Sequence, residues 1–228
     1  YDLCDLLTRL IFLGFISDSV SQSFAVPADK KAKFALLRED ILRKQVMSVK
    51  TMQRFMGKCI SFSICVPGAM LYIREMTHAV SVAMKTGLGI IVAGKLRQEI
   101  EHWRFMDNFS SWMPWRSEKH QQVSIQTDSS GYKWGGCHNG AALGDYWQGS
   151  DIADSPIHIK EARAVYNVLI AIGQEIRNCH IDAFVDNMAV VIAWQRGGAR
   201  DVMLNRELKN IFVATLDLNV VLHLKYIE

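Results

Sequence analysis

Between Val123 and Tyr226 the sequence changes its hydrophobic period repeatedly, and this limits the fold more than any other feature. Val123-Ser124-Ile125-Gln126-Thr127 alternates with period two and runs into the turn residues Asp128-Ser129-Ser130-Gly131, the pattern of a half-buried strand. Tyr132 to His138 and Leu143 to Trp147 read as two further strands joined through Asn139-Gly140. From His158 to Asn178 the period becomes helical, with Ile159, Ala162, Val165, Tyr166, Leu169 and Ile172 on one stripe. Ile181–Val185 is a short buried strand. Met188–Gln195 is a helix stopped by Arg196-Gly197-Gly198. A helix from Val202 to Leu216 and a strand from Val220 to Tyr226 follow. The order is β-β-β-α-β-α-α-β. Three antiparallel strands followed by alternating helices and strands predict an α/β fold with a mixed five-stranded sheet and flanking helices.

The first half has a different texture. From Asp29 to about Asn108 the apolar residues fall at helical spacing: Phe34, Leu37 and Ile41, then Met52, Phe55, Met56 and Cys59. Asp29 after Pro27-Ala28 and Ser48 before Val49 are the expected N-caps, and Pro67-Gly68 breaks the next apolar segment. Leu10-Ile11-Phe12-Leu13-Gly14-Phe15 reads as a strand and turn. A last helix runs from Gly94 to Phe105. The aromatic and turn-rich stretch Asn108–Trp115 and the polar residues after it read as a linker, which puts the boundary at 1–118 and 119–228.

Composition narrows the class. Half of the 228 residues are hydrophobic and 10% aromatic, too apolar for a disordered chain. The longest uncharged run, Cys59–Ile73, contains Pro67-Gly68 and falls short of the 18–20 or so residues a membrane span needs. No basic segment opens the chain, so no signal peptide is expected, and both ends read as interior positions of a longer protein. Five cysteines (4, 59, 65, 137 and 179) lack any paired spacing, which favours reduced thiols and an intracellular, cytoplasmic or nuclear setting over a disulfide framework or zinc ribbon. The net charge of +3 divides unevenly, with +6 on residues 1–120 and −3 on 121–228. Asp29–Lys58 alone carries nine basic residues against three acidic ones. Either a solvated helix face or a polyanion-binding face fits that excess.

Three acids in the second half stand where a lone carboxylate is unfavourable. Asp128 closes the first strand, Glu161 lies one turn into the amphipathic helix, and Asp186 follows the strand Ile181–Val185. If the two strands are neighbours, the two aspartates emerge side by side, and a helix across that face brings Glu161 to them. Three converging carboxylates repel one another, and a cation is the simplest neutraliser. An all-oxygen donor set suits Mg²⁺ or Mn²⁺, and two such ions could hydrolyse a phosphodiester. Ser129 and Ser130 with the scattered histidines do not make a hydrolase site, since no G-x-S-x-G elbow is present. Gly131 to Gly136 lacks the G-K-[ST] ending of a phosphate loop. Trp112, Trp115, Trp134 and Trp147 could stack on bases or fill the core.

These residues resemble a family. Thr127-Asp128-Ser129-Ser130-Gly131-Tyr132-Lys133-Trp134-Gly135-Gly136 is similar to the first hairpin of ribonuclease H domains in retroelement polyproteins. Ile157-His158-Ile159-Lys160-Glu161 resembles their I-N-x-K-E helix start, and Val185-Asp186-Asn187-Met188 their S-D-N stretch. Gly198-Ala199-Arg200, Arg206-Glu207-Leu208 and Asn219-Val220 to Tyr226-Ile227 follow their C-terminal pattern. In the first half, Phe12-Leu13-Gly14-Phe15 resembles the primer-grip hairpin after a reverse transcriptase palm, and Pro27 to Lys31 the start of its thumb. Met52-Gln53-Arg54-Phe55-Met56-Gly57-Lys58 and Glu99–Trp115 resemble segments of DIRS- and Ngaro-like elements.

The resemblance implies a mainly α-helical thumb and connection region followed by a ribonuclease H-like domain. That domain would hydrolyse the RNA strand of RNA–DNA hybrids with two Mg²⁺ or Mn²⁺ ions on Asp128, Glu161 and Asp186. Lys30, Lys31, Lys33, Lys50, Arg54, Lys58 and Asn187 would hold nucleic acid, and no membrane is involved. His158 occupies a polar position that is not a ligand in the family. No paired aspartates of a polymerase site are present, so the palm and fingers are expected upstream as a partner. The family's fourth acid is expected beyond Glu228, which itself stands where the family has proline. The alternative expectation is a decayed copy that binds hybrid without cutting it.

Overall fold

In the computed structural model a two-residue turn, Leu13-Gly14, joins β1 (Arg9–Phe12) to β2 (Phe15–Asp18). Both turn residues have positive φ, 48° and 78°, the backbone that a tight hairpin turn requires and that Gly14 adopts without strain. The structure describes residues 8–115, 121–149, 152 and 154–227. The expected boundary at 118/119, Cys4 and Glu228 lie outside them. The chain divides into two units, Tyr1–Ser117 and Glu118–Glu228.

In the first unit β2 also pairs with β3 (Ser23–Ala25). A short ribbon joins β4 (Val46–Met47) to β5 (Ile90–Ile91), and β6 (Met113–Pro114) pairs with β3. The expected linker stretch therefore contains a strand. The helices are α1 (Ala28–Arg43), α2 (Val49–Ser61), α3 (Arg74–Thr86) and α4 (Gly94–His102). Ser48 caps α2 by accepting from the Thr51 N–H at 3.2 Å. Asp29 is not a cap: Pro27 holds that position, and Asp29 lies in the first turn paired with Lys33. Phe34 of α1 stacks on Phe55 of α2 at 4.9 Å and meets Phe62 and Trp103 edge-on at 5.0 and 5.8 Å. Arg38 is 1% exposed, with both terminal nitrogens on Asp107 at 2.9 and 2.7 Å.

The second unit is built on β7 (Gln122–Ser129), β8 (Lys133–His138), β9 (Ala141–Tyr146), β10 (His180–Val185) and β11 (Val221–Tyr226), in the order β11-β10-β7-β8-β9. β7, β8 and β9 form an antiparallel meander, and β10 and β11 run parallel to β7. Along β7 the residues alternate, with Val123, Ile125 and Thr127 buried and Gln122, Ser124, Gln126 and Asp128 exposed. The helices are α5 (Ile157–Ala171), α6 (Met188–Gln195) and α7 (Val202–Asp217). Val168 of α5 packs so close to β8 that a Cβ on Gly136 would lie 2.5 Å from it, so the strand needs glycine there. Among the described residues this is the expected mixed five-stranded sheet with flanking helices. One boundary differs. α5 ends at Ala171 rather than Asn178, and turns carry the chain through Gly173 into β10, as expected of the residue least able to sustain a helix apart from proline.

Candidate metal centre

β7 and β10 are parallel neighbours with Val185 paired to Thr127. The next residue on each strand is an aspartate, so Asp128 and Asp186 leave the sheet side by side. Glu161 comes from the second turn of α5. Carboxyl oxygens of Asp128, Glu161 and Asp186 lie within 4.8 Å of one another. Asp128 and Asp186 are exposed, and Glu161 is 1% exposed. Ser129 holds the glutamate in place: its Oγ donates to Glu161 Oε1 at 2.6 Å and its N–H to the same oxygen at 3.1 Å. Glu161 Oε2 is buried with no partner.

A buried carboxylate oxygen without a donor is unfavourable unless a proton or cation reaches it. Burial raises the Glu161 pKa to about 7; the Ser129 hydroxyl opposes that rise, while the negative charges of Asp186 and Asp128 add to it. The donor set is oxygen only, which fits a hard divalent ion such as Mg²⁺ or Mn²⁺. Oxygens bound to one Mg²⁺ at about 2.1 Å lie no more than about 4.2 Å apart, close to the spacing within 4.8 Å that these three carboxyl groups hold. His158, three residues before Glu161, pairs instead with Asp201 at 3.2 Å.

The expected nucleic-acid residues fall into two groups. Lys30 donates to the Gly14 carbonyl at 3.1 Å and lies 4.0 Å from the centre of the Phe15 ring. Burial, and then the nearby Lys58 charge, lowers its pKa. Lys31 donates to the Phe109 carbonyl at 2.8 Å, and Lys33 pairs with Asp29 at 3.2 Å. These α1 lysines are engaged within the unit. On α2, Lys50, Arg54 and Lys58 follow one another at four-residue intervals, away from buried Met52, Phe55 and Cys59, and so form one stripe. Asn187 caps α6, its side-chain oxygen accepting from the N–H groups of Ala189 and Val190 at 3.1 and 3.4 Å.

Sequence reasoning gave Ser129 no part in this centre, although it is the direct partner of Glu161. The only signal was its place beside Asp128 in the motif. Cys59, Cys65, Cys137 and Cys179 are free thiols. Among the described residues no helix is long and apolar enough to cross a membrane.

No family model matches the chain, and no curated protein matches it in sequence. Among solved structures it is similar to a foamy viral protease–reverse transcriptase in complex with double-stranded DNA, at 12% identity and a TM-score of 0.40, covering 95% of this chain and 38% of that one. A foamy viral protease–reverse transcriptase in complex with RNA/DNA hybrid matches at 11% identity and 0.39, covering 96% and 29%. Ribonuclease H1 from the archaeon Halobacterium salinarum matches at 15% identity and 0.38, covering 47% and 86%. The chain thus spans well under half the length of the viral proteins.

Proposed function

We propose that the second unit hydrolyses the RNA strand of RNA–DNA hybrids, with divalent metal held by Asp128, Glu161 and Asp186. The observation that carries this reading is the convergence of three carboxylates at the ends of neighbouring parallel strands, with Oε2 of the buried Glu161 lacking any partner. When bound, two divalent ions would supply activation of the attacking water and neutralisation of charge on the phosphodiester. The chain's own residues prepare the site. Ser129 fixes one oxygen of Glu161 and leaves the other buried without a hydrogen-bond partner. Asp128 and Asp186, both exposed, are open to substrate phosphate from the solvent side.

In this reading the first unit is a primer-grip hairpin, thumb and connection region, and the whole chain is part of a retroelement reverse transcriptase of the DIRS, Ngaro or a related group. The α2 stripe Lys50, Arg54 and Lys58 supplies most of its phosphate contacts. An RNA strand labelled at one end and annealed to DNA tests the activity, with single-stranded RNA and double-stranded DNA as controls. Cleavage of the hybrid that needs Mg²⁺ or Mn²⁺ and is lost in Asp128→Asn is the expected result. A hybrid left intact with either ion, or cleavage that survives Asp128→Asn, overturns it.

A further inference from the structure

The turn between β7 and β8, residues 130–132, begins two residues after Asp128, and each of its carbonyls is held from outside. The Ser130 carbonyl accepts the Trp147 indole N–H at 2.9 Å, and the Tyr132 carbonyl accepts the Trp147 backbone N–H at 3.0 Å. Between them, the Gly131 carbonyl accepts from Lys160 Nζ at 2.9 Å. Lys160 is only 6% exposed. A lysine here is not the simplest filler, because a hydrocarbon side chain would occupy the same space without burying an ammonium group. What the ammonium adds is a tether from α5 to one carbonyl of the turn.

The next residue on α5 is Glu161, and it grips the strand end that leads into the same turn, at Ser129, two residues before Gly131. The helix therefore holds the turn and the strand end before it, Lys160 on Gly131 and Glu161 on Ser129. If the turn slipped, Ser129 would leave Glu161 Oε1, and the carboxylate could rotate out of its present orientation. We propose that Lys160 is a positioning residue for the metal centre: by tethering the Gly131 carbonyl it sets the Ser129–Glu161 hydrogen bonds and so presents Glu161 Oε2 to the cation. The proposal rests on the reading of the three carboxylates as a cation site. Removing the tether should weaken metal binding through geometry, as loss of an outer-shell partner typically does by about 10–100-fold.

The test uses Mn²⁺ alone, titrated into the full chain and followed by the electron paramagnetic resonance signal of the free ion. Lys160→Met keeps the hydrocarbon stem and removes the tether, and it should weaken Mn²⁺ binding about tenfold with the metal-free melting temperature little changed. Lys160→Arg, which can still donate to the carbonyl, should stay within about threefold of the parent protein. If the effect passes through Ser129, Lys160→Met should add almost nothing in a Ser129→Ala background. Unchanged affinity in Lys160→Met, failure of Arg to rescue, or additive losses in the double variant would each overturn the proposal. A Met variant that does not fold would also overturn it, by making the lysine a determinant of stability. A parent protein that binds no Mn²⁺ removes the cation-site reading itself, a result none of the variant comparisons can produce.

Discussion

Glu161 and Glu207 are both almost wholly buried on helices of the second unit, and their surroundings are opposite. Glu207 of α7, with no exposed surface, meets the Arg163 guanidinium of α5 through both carboxylate oxygens and Asn210 Nδ2 at 3.3 Å. Glu161 of α5 meets two donors from one serine, and the charges around it, Asp186 and Asp128, are negative. The first glutamate ties one helix to another. The second leaves an oxygen without a partner and its pKa raised. A buried acid with its own cation belongs to the architecture, whereas a buried acid beside other acids is a candidate ligand position.

The comparison breaks most visibly by neutralising each acid. Glu207→Gln leaves Arg163 without its counter-charge at a mostly buried position, and should cost about 3 kcal/mol in denaturant-unfolding stability. Glu161→Gln removes a charge that repels Asp128 and Asp186, so the metal-free protein should be as stable as the parent or more so. Equal losses at both positions would make Glu161 a structural residue and end the distinction.

The next effect is smaller and depends on pH. The folded protein holds the Glu161 proton up to about pH 7, while an unfolded glutamate releases it near its ordinary value of 4.5. Below the lower value both states are protonated and the group contributes nothing. Between the two values the folded state binds more protons, so stability falls as pH rises, and above about 7 the penalty is constant. The parent protein without metal should therefore lose stability relative to Glu161→Gln between pH 5 and pH 8, by something on the order of 1–2 kcal/mol. Only the difference between the two proteins is informative, because other titrating groups cancel in it. A pH-independent difference would mean that Glu161 is ionised in the fold throughout.

What could be read in advance follows the range of the interactions. Asp128, Glu161 and Asp186 were legible because strand order and helix period bring them to one end of the sheet, whatever the side-chain details. The Ser48 cap was legible because it depends on residues three apart. The partnership of Arg163 with Glu207 spans 44 residues, that of Lys160 with Gly131 spans 29, and that of Arg38 with Asp107 spans 69. No local period encodes any of them. The basic run Asp29–Lys58 divides for the same reason: composition counts charges but does not say which ones already serve carbonyls of the fold, as Lys30 and Lys31 do. The strand at Met113–Pro114 exists only because Ser23–Ala25 reaches it from about 90 residues away.

That division of the lysines gives a third expectation, in binding rather than stability. Replacing Lys50, Arg54 and Lys58 by Ala should flatten the slope of log affinity for hybrid against log salt by about 2–3 units. Replacing Lys30 and Lys31 by Met should leave the slope within about half a unit, because their ammonium groups already serve the Gly14 and Phe109 carbonyls. Equal slopes for the two sets would show that the α2 stripe faces away from nucleic acid.

The smallest effect belongs to a pair that resembles Arg163–Glu207 in chemistry and differs from it in exposure. Lys33 and Asp29 lie 3.2 Å apart at i, i+4 on α1, with 71% and 67% of their side chains exposed. Water screens the attraction and both long side chains must be ordered to form it, so Lys33→Gln should change stability by less than about 0.5 kcal/mol. Asp29 also lies in the first turn of α1, where a negative charge interacts favourably with the helix N-terminus. Asp29→Asn should therefore cost slightly more than Lys33→Gln while staying below about 1 kcal/mol, and molar salt should shrink both losses. Urea unfolding at low and high salt measures them together. A loss at Lys33 approaching that at Glu207 would mean that burial does not govern which charge pairs hold this protein together.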